Sequence, residues 1–279
     1  MSFAEAWREA PEPERFRNLI QVEWEDFRAE VESPSPLFVS DLVGSLSEGD
    51  IWLLKGAFEK RWCEQLIERT RAWTASREGG FHAMVDGVPD HHRIITRDIG
   101  ADYAFPQCKH SAYFFRWNGN EIWETVTPVW RTVKTAIGLD PMAFERNLPS
   151  DGPTDRAQVV RYPPKVGFLY PHQDPHQDQP TFISVYLSKR GVDYQDGGFY
   201  AVGDRDSIHW LEDDVEVGDV AIGHARVPHG IAPCDLDLDP DWGAMSGRWF
   251  LGLYSNSPHT GVKRHTGAPF KINTGGLIP

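Results

Sequence analysis

The chain has 279 residues, 40% of them hydrophobic, and a net charge of −13. This length is sufficient for one large domain with a substantial core. The acidic balance and the lack of a basic stripe argue against a nucleic-acid partner, because phosphate binding requires clustered positive charge. An acidic surface can serve solubility or attract a cationic substrate, and the composition is compatible with both.

The cysteines and the N-terminus indicate the compartment. Cys63, Cys108 and Cys234 are odd in number, widely spaced and without a CxxC motif, which is typical of reduced thiols. The first residues are polar and acidic and lack the basic and apolar regions of an export signal. No run approaches the roughly 18 apolar residues of a membrane span. We therefore expect a cytoplasmic protein without a membrane partner.

The N-terminal part of the chain is mixed in character. The charged segment Glu14–Glu32 predicts a peripheral helix, which the Ser-Pro-Ser-Pro sequence at 33–36 interrupts. The apolar run Ile51–Leu54 predicts a short buried strand. These elements precede the more regular patterns of the residues that follow.

Two amphipathic helices are predicted next. Apolar residues at helical spacing indicate helices over Ala57–Ala75 and Asn120–Ile137. Pro128 should kink the second helix or mark its true start, and Gly138 should end it. Residues 76–112 show little periodicity and predict loops and short strands.

From Gln158 onward the pattern changes to short β-rich runs separated by turns. Eight such runs within about 100 residues predict a β-sandwich or jelly roll with helices packed on one sheet. We expect residues 1–157 to pack on this core and to help form a substrate pocket, residues 158–256 to be the catalytic core, and residues 257–279 to be a tail. The predicted strands are Gln158–Tyr162, Phe168–His172, Phe182–Leu187, Gly198–Val202, Ser207–Trp210, Asp219–Ile222, Gly230–Ala232 and Arg248–Tyr254.

A candidate metal site stands out in this region. His172 and Asp174 are two residues apart at the end of a predicted strand, so both side chains face one side. Together with His229 they would supply two imidazoles and a carboxylate, the ligand set that leaves half of an octahedral Fe(II) open. A second pair, His176 and Asp178, lies in a predicted turn between two prolines and is less well placed.

Four stretches carry a resemblance to a known family. They are RYPPKVGFLYPHQD, TFISVYLSKRGVDYQDGGFYAV, VEVGDVAIGHARVPHGIAP and GRWFLGLYS. Together they resemble the Fe(II)- and 2-oxoglutarate-dependent dioxygenases, in particular the prolyl-hydroxylase-like branch, over residues 158–256. The resemblance implies a double-stranded β-helix, that is, a jelly-roll or cupin-like core with flanking helices. It also places a turn at Gly197-Gly198.

The resemblance also implies roles for individual residues. His172, Asp174 and His229 would be the catalytic metal ligands, with His224 as the rival to His229. Tyr162 and Tyr186 would hydrogen-bond 2-oxoglutarate. The last strand of the family carries the basic residue that binds the far carboxylate of the cosubstrate, which indicates Arg248.

Two features of the chain bear on this assignment. Arg248 follows His229 by nineteen residues because of the Asp-rich insert Asp235–Gly247, which must form a loop, and Arg226 is the fallback. The carboxylate of Asp174 favours hydroxylation or another C–H oxidation over halogenation, since the related halogenases have Gly or Ala at that position.

Three functions remain open at this stage. The first is an Fe(II)- and 2-oxoglutarate-dependent oxygenase that uses O2 to oxidise a small-molecule metabolite, with release of succinate and CO2. The second is a peptide or protein hydroxylase with the same chemistry, which an open groove would favour. The third is a non-catalytic, cupin-like metal-binding jelly roll, which the lack of a buried basic residue would favour. Residues 80–117 are predicted to help form the substrate pocket. The pattern gives no indication of the oligomeric state.

Overall fold

A computed structural model describes residues 1–257 and 267–272. Within these residues the chain forms six α-helices and thirteen strands. The helices are α1 (Phe3–Glu9), α2 (Trp24–Glu32), α3 (Pro36–Ser47), α4 (Lys60–Ala75), α5 (Arg97–Ala101) and α6 (Ile122–Ala136). The strands are β1 (Leu19–Glu23), β2 (Ile51–Lys55), β3 (His91–Ile95), β4 (Gln107–Phe115), β5 (Thr154–Tyr162), β6 (Phe168–Gln173), β7 (Thr181–Tyr186), β8 (Gly198–Val202), β9 (Ile208–Trp210), β10 (Val220–His224), β11 (His229–Ala232), β12 (Arg248–Asn256) and β13 (Ala268–Pro269).

The strands form one strongly curled sheet with two halves. The larger half has the order β1-β2-β10-β7-β12-β5-β4, with β3 on β4, and the smaller half continues as β6-β11-β8-β9, with β13 on β6. Strand β4 joins the two, because Gln107 and Cys108 pair with β6 whereas His110–Phe115 pair with β5. The two halves face each other, as expected for a jelly roll.

Side chains of successive strand residues enter two different cores. In β5, Ala157 and Val159 pack with the helices outside the larger half, whereas Val160 and Tyr162 face the space between the halves. This alternation is a direct consequence of the two-residue period of a strand. It gives the sheet an outer face covered by helices and an inner face that forms the interior of the jelly roll.

The helices cover the outer face of the larger half. Helix α6 buries Trp130 completely, and α4 contributes Cys63, Leu66 and Ile67 to the same apolar cluster. None of the described helices is long and apolar enough to cross a membrane. The thiols of all three cysteines are buried and free, as expected for reduced cysteines.

The insert after β11 is fixed by one buried arginine. Arg161 donates hydrogen bonds to the backbone carbonyls of Asp241 at 2.6 Å, Trp242 at 3.0 Å and Ser246 at 2.8 Å. Its guanidinium group therefore anchors the second half of the predicted loop Asp235–Gly247. The segment contains no helix or strand, as expected for a loop.

The predicted jelly-roll fold with flanking helices is confirmed. All eight predicted strands after residue 157 are present, with shifts of a few residues at their ends. The helices predicted over Ala57–Ala75 and Asn120–Ile137 are also present. The division of the chain at residues 157 and 256 stays a prediction, and residues 258–266 and 273–279 of the predicted tail lie outside the described residues.

One prediction in the first half of the chain was wrong. Glu14–Glu32 is not one helix, since Leu19–Glu23 forms β1 in parallel register with β2 before α2 begins. Pairing with a buried neighbour overrides the local charge pattern. Of the two alternatives for Pro128, the start of the helix is excluded, because α6 begins at Ile122 and includes the proline; a kink at Pro128 stays a prediction.

Candidate metal and cosubstrate site

Two histidines face each other across neighbouring strands. His172 on β6 and His229 on β11 are direct partners in the antiparallel register, so their side chains emerge on the same face. Their ring centroids are 4.4 Å apart, and both residues are buried. The strand register thus brings together two imidazoles that are 57 positions apart in the sequence.

Asp174 completes the group from the end of β6. Its backbone N–H donates to the carbonyl of Ala225 at 2.8 Å, which fixes the chain as it leaves the strand. Its carboxylate oxygens lie 3.4 Å from Nε2 of His172 and 3.7 Å from Nε2 of His229. One ligand atom from each of the three residues lies within 4.8 Å of the others, so they could hold one metal ion.

The backbone sets the orientation of both imidazole rings. Nδ1 of His172 lies 2.9 Å from the carbonyl oxygen of Tyr170, and Nδ1 of His229 lies 2.9 Å from that of Val227. A carbonyl only accepts hydrogen bonds, so each neutral ring carries its proton on Nδ1 and presents the lone pair of Nε2. This is the arrangement in which histidines bind a metal.

The protonation states also suit a metal. Burial lowers the pKa of His229 to about 4, with the nearby His172 acting in the same direction, so its ring is neutral at pH 7. Burial of Asp174 opposes its ionisation, but its interactions with the adjacent imidazoles of His172 and His229 outweigh this effect and lower its pKa. The group therefore offers the neutral imidazole of His229 and the carboxylate of Asp174 as ligands beside His172.

A second group of polar atoms lies in the core between the sheet halves. Arg248 is 1% exposed, and its Nε donates to Oε1 of Glu212 at 2.5 Å. Among the described residues, its two terminal nitrogens have no hydrogen-bond partner, and neither do the hydroxyls of Tyr162 and Tyr186. The guanidinium carbon lies 5.8 Å and 5.6 Å from the centroids of these two rings.

These buried donors fit a carboxylate. Buried polar groups are almost always paired, so several unpaired donors beside one another indicate a missing acceptor. Two parallel N–H donors of a guanidinium match the two oxygens of a carboxylate, and tyrosine hydroxyls can donate to the same group. The residues present therefore fit the far carboxylate of 2-oxoglutarate, as well as Fe(II) at the histidine-aspartate group.

Several solved structures have a fold similar to that of this chain. The Neurospora crassa thymine 7-hydroxylase in complex with alpha-KG and thymine matches with a TM-score of 0.51 and 11% identity, over 86% of this chain and 85% of that one. JOX2 in complex with 2OG, Fe and JA matches with a TM-score of 0.50 and 11% identity, over 89% and 76%. A Pseudomonas putida prolyl-4-hydroxylase matches at 0.48 and 12% identity, over 82% and 98%.

The chain has the fold of the 2-oxoglutarate- and Fe(II)-dependent oxygenases. The resemblance inferred from the four sequence stretches is thus confirmed at the level of the fold. No protein-family model matches the sequence, and no curated protein matches it either.

Glu212 is a part of the oxygenase fold that sequence reasoning missed. Its carboxylate is buried, accepts from Arg248 and from the backbone N–H of Phe199 at 2.8 Å, and also accepts from the hydroxyl of Tyr194. In the sequence it opens the acidic run Glu212-Asp213-Asp214, which is typical of a solvated turn. No signal in the sequence distinguishes it from its two exposed neighbours.

The alternative ligands lie elsewhere in the oxygenase fold. His176 is 3.0 Å from the carboxylate of Glu12, and Asp178 accepts a hydrogen bond from Ser257 at 2.7 Å. His224 stacks on Trp7, with ring centroids 5.9 Å apart. None of these three joins the group of His172, Asp174 and His229.

The fallback arginine is also outside the core. The side chain of Arg226 is 38% exposed and lies 3.3 Å from Glu12. Arg248 is therefore the arginine that the fold buries beside Tyr162 and Tyr186, and its role stays a proposal.

A cavity of about 180 Å³ adjoins the histidine-aspartate group in the oxygenase fold. His172 and Asp174 form part of its wall, and Phe105 stacks on His172 with centroids 4.4 Å apart. Much of the remaining wall comes from the segment 80–117, including Phe81, His82 and residues of β3 and β4. This is the segment that the sequence suggested as part of a substrate pocket.

Proposed function

We propose that the protein is an Fe(II)- and 2-oxoglutarate-dependent oxygenase that oxidises an unactivated C–H bond of a small molecule. The observation that carries the proposal is the buried guanidinium of Arg248, whose terminal nitrogens have no partner among the described residues and lie beside two unpaired tyrosine hydroxyls. A site that binds only a metal ion would not need these buried hydrogen-bond donors. A 2-oxo acid needs both the metal site and the donors.

In this proposal each residue has a defined task. His172, Asp174 and His229 would hold Fe(II) and leave three positions open. Arg248, Tyr162 and the hydroxyl of Tyr186 would bind the far carboxylate and so fix the direction of the cosubstrate. When bound, Fe(II), 2-oxoglutarate and O2 supply the oxidation: one oxygen atom goes to succinate as CO2 leaves, and the other enters the substrate C–H bond.

The aromatic surroundings would protect the reaction from water. Phe182 and Phe199 lie against His229, with ring centroids 4.9 Å and 5.3 Å away, and Phe105 covers His172. Apolar walls of this kind exclude solvent and strengthen electrostatic interactions inside the site. The chain thus contributes positioning and a dry site, while the cofactors contribute the chemistry.

The dimensions of the cavity support a small-molecule substrate over a peptide. Its volume of about 180 Å³ is close to the ~150 Å³ of an engineered cavity that holds benzene. Phe81 and His82 border the cavity on the side of the N-terminal segment. A peptide would require a long groove, whereas this space suits a molecule of about one ring.

A non-catalytic metal-binding jelly roll is the second candidate. It accounts for the histidine-aspartate group but not for Arg248, whose burial beside two unpaired hydroxyls costs free energy without a ligand. The oxygenase explains both groups with one cosubstrate.

The test measures 2-oxoglutarate binding and turnover in the same preparation. We expect calorimetric binding of 2-oxoglutarate in the presence of Mn(II), and iron-dependent succinate formation in air. His172→Ala should lose both metal-dependent signals, whereas His176→Ala, which changes the other histidine-containing pair, should retain them. The absence of both binding and turnover in the wild type would falsify the oxygenase and leave the metal-binding jelly roll.

A further inference from the structure

The cavity beside the candidate metal site has a basic wall. Arg93 on β3, Lys109 on β4 and Arg156 on β5 all line it. Asp174 is the one carboxylate among the described residues that line the cavity, and the proposed function commits it to the metal. A chain with a net charge of −13 thus places three cations around one small space.

Within the part of the chain that the structure describes, these three cations are not neutralised by ion pairs. No salt bridge of the described residues involves Arg93, Lys109 or Arg156. Nε of Arg156 is buried without a hydrogen-bond partner among the described residues. Arg93 is only 8% exposed. Unpaired cations in such positions indicate that an anion is missing.

Aromatic rings hold the two guanidinium groups in place. The guanidinium of Arg93 lies 5.1 Å from the ring centroid of Phe81 and 5.2 Å from that of Tyr103. That of Arg156 lies 5.6 Å from Tyr113 and 5.3 Å from Tyr254. Stacking on a ring satisfies the face of a guanidinium and leaves its N–H donors at the edge for a ligand.

Burial also destabilises the positive charge of Lys109. Burial lowers its pKa to about 8; Asp174 opposes this effect, while the positive charges of Arg156 and Arg93 add to it. The amine is still largely protonated at pH 7. A bound anion would stabilise its charged form and both neighbouring guanidinium groups.

This cluster is separate from the cosubstrate group. Arg248, Tyr162 and Tyr186 do not line the cavity, whereas His172 and Asp174 do. An anion in the cavity would therefore lie on the side of the metal site that is open to a substrate.

Resting on the proposed function, we propose that the substrate is a small organic anion with a flat apolar body of about one ring and a carboxylate or phosphate group. Arg93, Lys109 and Arg156 bind the oxyanion. The aromatic residues of the cavity, such as Phe105, Phe115 and Phe250, contact the body. The acidic surface of the chain, which is compatible with a cationic substrate, does not determine the charge preference of the site.

The test uses matched probes that differ in charge. Ligand-observed NMR would measure binding of benzoate, phenylacetate, cinnamate and phenyl phosphate, each beside its neutral amide or phenol, to the protein with Mn(II) and 2-oxoglutarate. We expect at least one anion to bind roughly tenfold or more tightly than its neutral partner, which is the scale of one charge-assisted hydrogen bond. Binding of none of the anions, or equal binding of the neutral partners, would overturn the proposal. Comparison of the carboxylates with phenyl phosphate shows which oxyanion is preferred.

Substitutions in the cavity wall test whether its cations cause the preference for anions. Arg156→Gln and Lys109→Met should each reduce the anion preference about tenfold, whereas Arg156→Lys should retain part of it. The control is Arg190→Gln, because Arg190 also lies over an aromatic ring, Trp210, but not at the cavity. Thermal unfolding verifies that each variant folds. An unchanged preference in a folded Arg156→Gln protein would contradict the assignment.

Binding of 2-oxoglutarate is measured in the same samples. If the wild type does not bind 2-oxoglutarate, the result counts against the proposed function. The anion preference of the cavity is then still measured, in the absence of 2-oxoglutarate. If Arg156→Gln weakened 2-oxoglutarate binding and left the probes unaffected, the cluster would belong to the cosubstrate site and the inference would be wrong.

Discussion

Glu212 holds Arg248 by one nitrogen only. Its Oε1 accepts from Nε at 2.5 Å, which leaves both terminal nitrogens of the guanidinium for another partner. The carboxylate is itself fixed by Phe199 N–H and the hydroxyl of Tyr194. Glu212 thus acts as a positioning residue: it neutralises a buried arginine without occupying the edge that a cosubstrate carboxylate would use.

Substitutions of Arg248 and Glu212 should separate the contribution of Arg248 to stability from its contribution to cosubstrate binding. Arg248→Met leaves the buried carboxylate of Glu212 without a counter-charge, which should cost about 3–5 kcal/mol of unfolding free energy. Adding Glu212→Gln should restore a large part of that loss but none of the 2-oxoglutarate affinity. Urea unfolding and calorimetry measure the two quantities. A double variant that binds 2-oxoglutarate as the wild type does would exclude Arg248 from the site.

The hydroxyls of Tyr162 and Tyr186 should matter only when the cosubstrate is bound. Each has no partner among the described residues, so Tyr→Phe should leave the stability of the free protein nearly unchanged. Each substitution should weaken 2-oxoglutarate binding by about 1 kcal/mol, or roughly fivefold. Tyr200→Phe is the control, since its hydroxyl is also buried and unpaired among described residues but does not adjoin Arg248. Equal effects of all three on calorimetric affinity would contradict the assignment.

Gly198 should be required for the position of Glu212. Its φ is +97°, and a Cβ at this position would lie 2.9 Å from Cγ of Glu212. Gly198→Ala should therefore reduce stability by more than about 1 kcal/mol and weaken 2-oxoglutarate binding. Gly191→Ala has a similar φ of +80° but meets no atom within 4 Å, so it reports the backbone cost alone. If the two variants bound 2-oxoglutarate equally well, the steric argument would fail.

The protein should lose stability in mild acid through its buried histidines. Burial lowers the pKa of His224 to about 4, and the charges of His176 and Arg226 add to this effect. The unfolded chain therefore binds a proton near pH 6.5 that the folded chain does not. The contribution of His224 is complete above about pH 6.5 and decreases as the pH falls towards about 4, by up to about 3 kcal/mol.

Urea unfolding at about pH 7.5 and about pH 5 measures this loss in the wild type and in His224→Gln. The variant should lose less stability between the two pH values. His209→Gln, at an exposed side chain, is the matched control for the substitution itself. A loss in His224→Gln as large as in the wild type would exclude His224 as a contributor.

The sequence predicted those parts of the site that depend on local strand geometry. His172 and Asp174 are two residues apart at a strand end, and the two-residue period of a strand determines which face they share. The resemblance predicted Arg248 and the two tyrosines as cosubstrate residues despite the insert before β12, and these roles stay predictions.

Other parts depend on tertiary contacts that no local pattern contains. Glu212 resembles its exposed neighbours in sequence, and only the fold places it against Arg248. Arg93, Lys109 and Arg156 come from three strands and meet only because β3, β4 and β5 are adjacent in the sheet. For the same reason β1 was predicted as a helix, since its parallel pairing with β2 is a long-range contact.

The anchoring of the insert by Arg161 has a consequence for how this region can vary. The guanidinium binds three backbone carbonyls and no side chain of the loop. Every amino acid provides a backbone carbonyl, so substitutions at Asp241, Trp242 and Ser246 leave the anchor available. A change in loop length would instead shift the carbonyls away from the donors. The insert can therefore drift in sequence while its length remains under constraint.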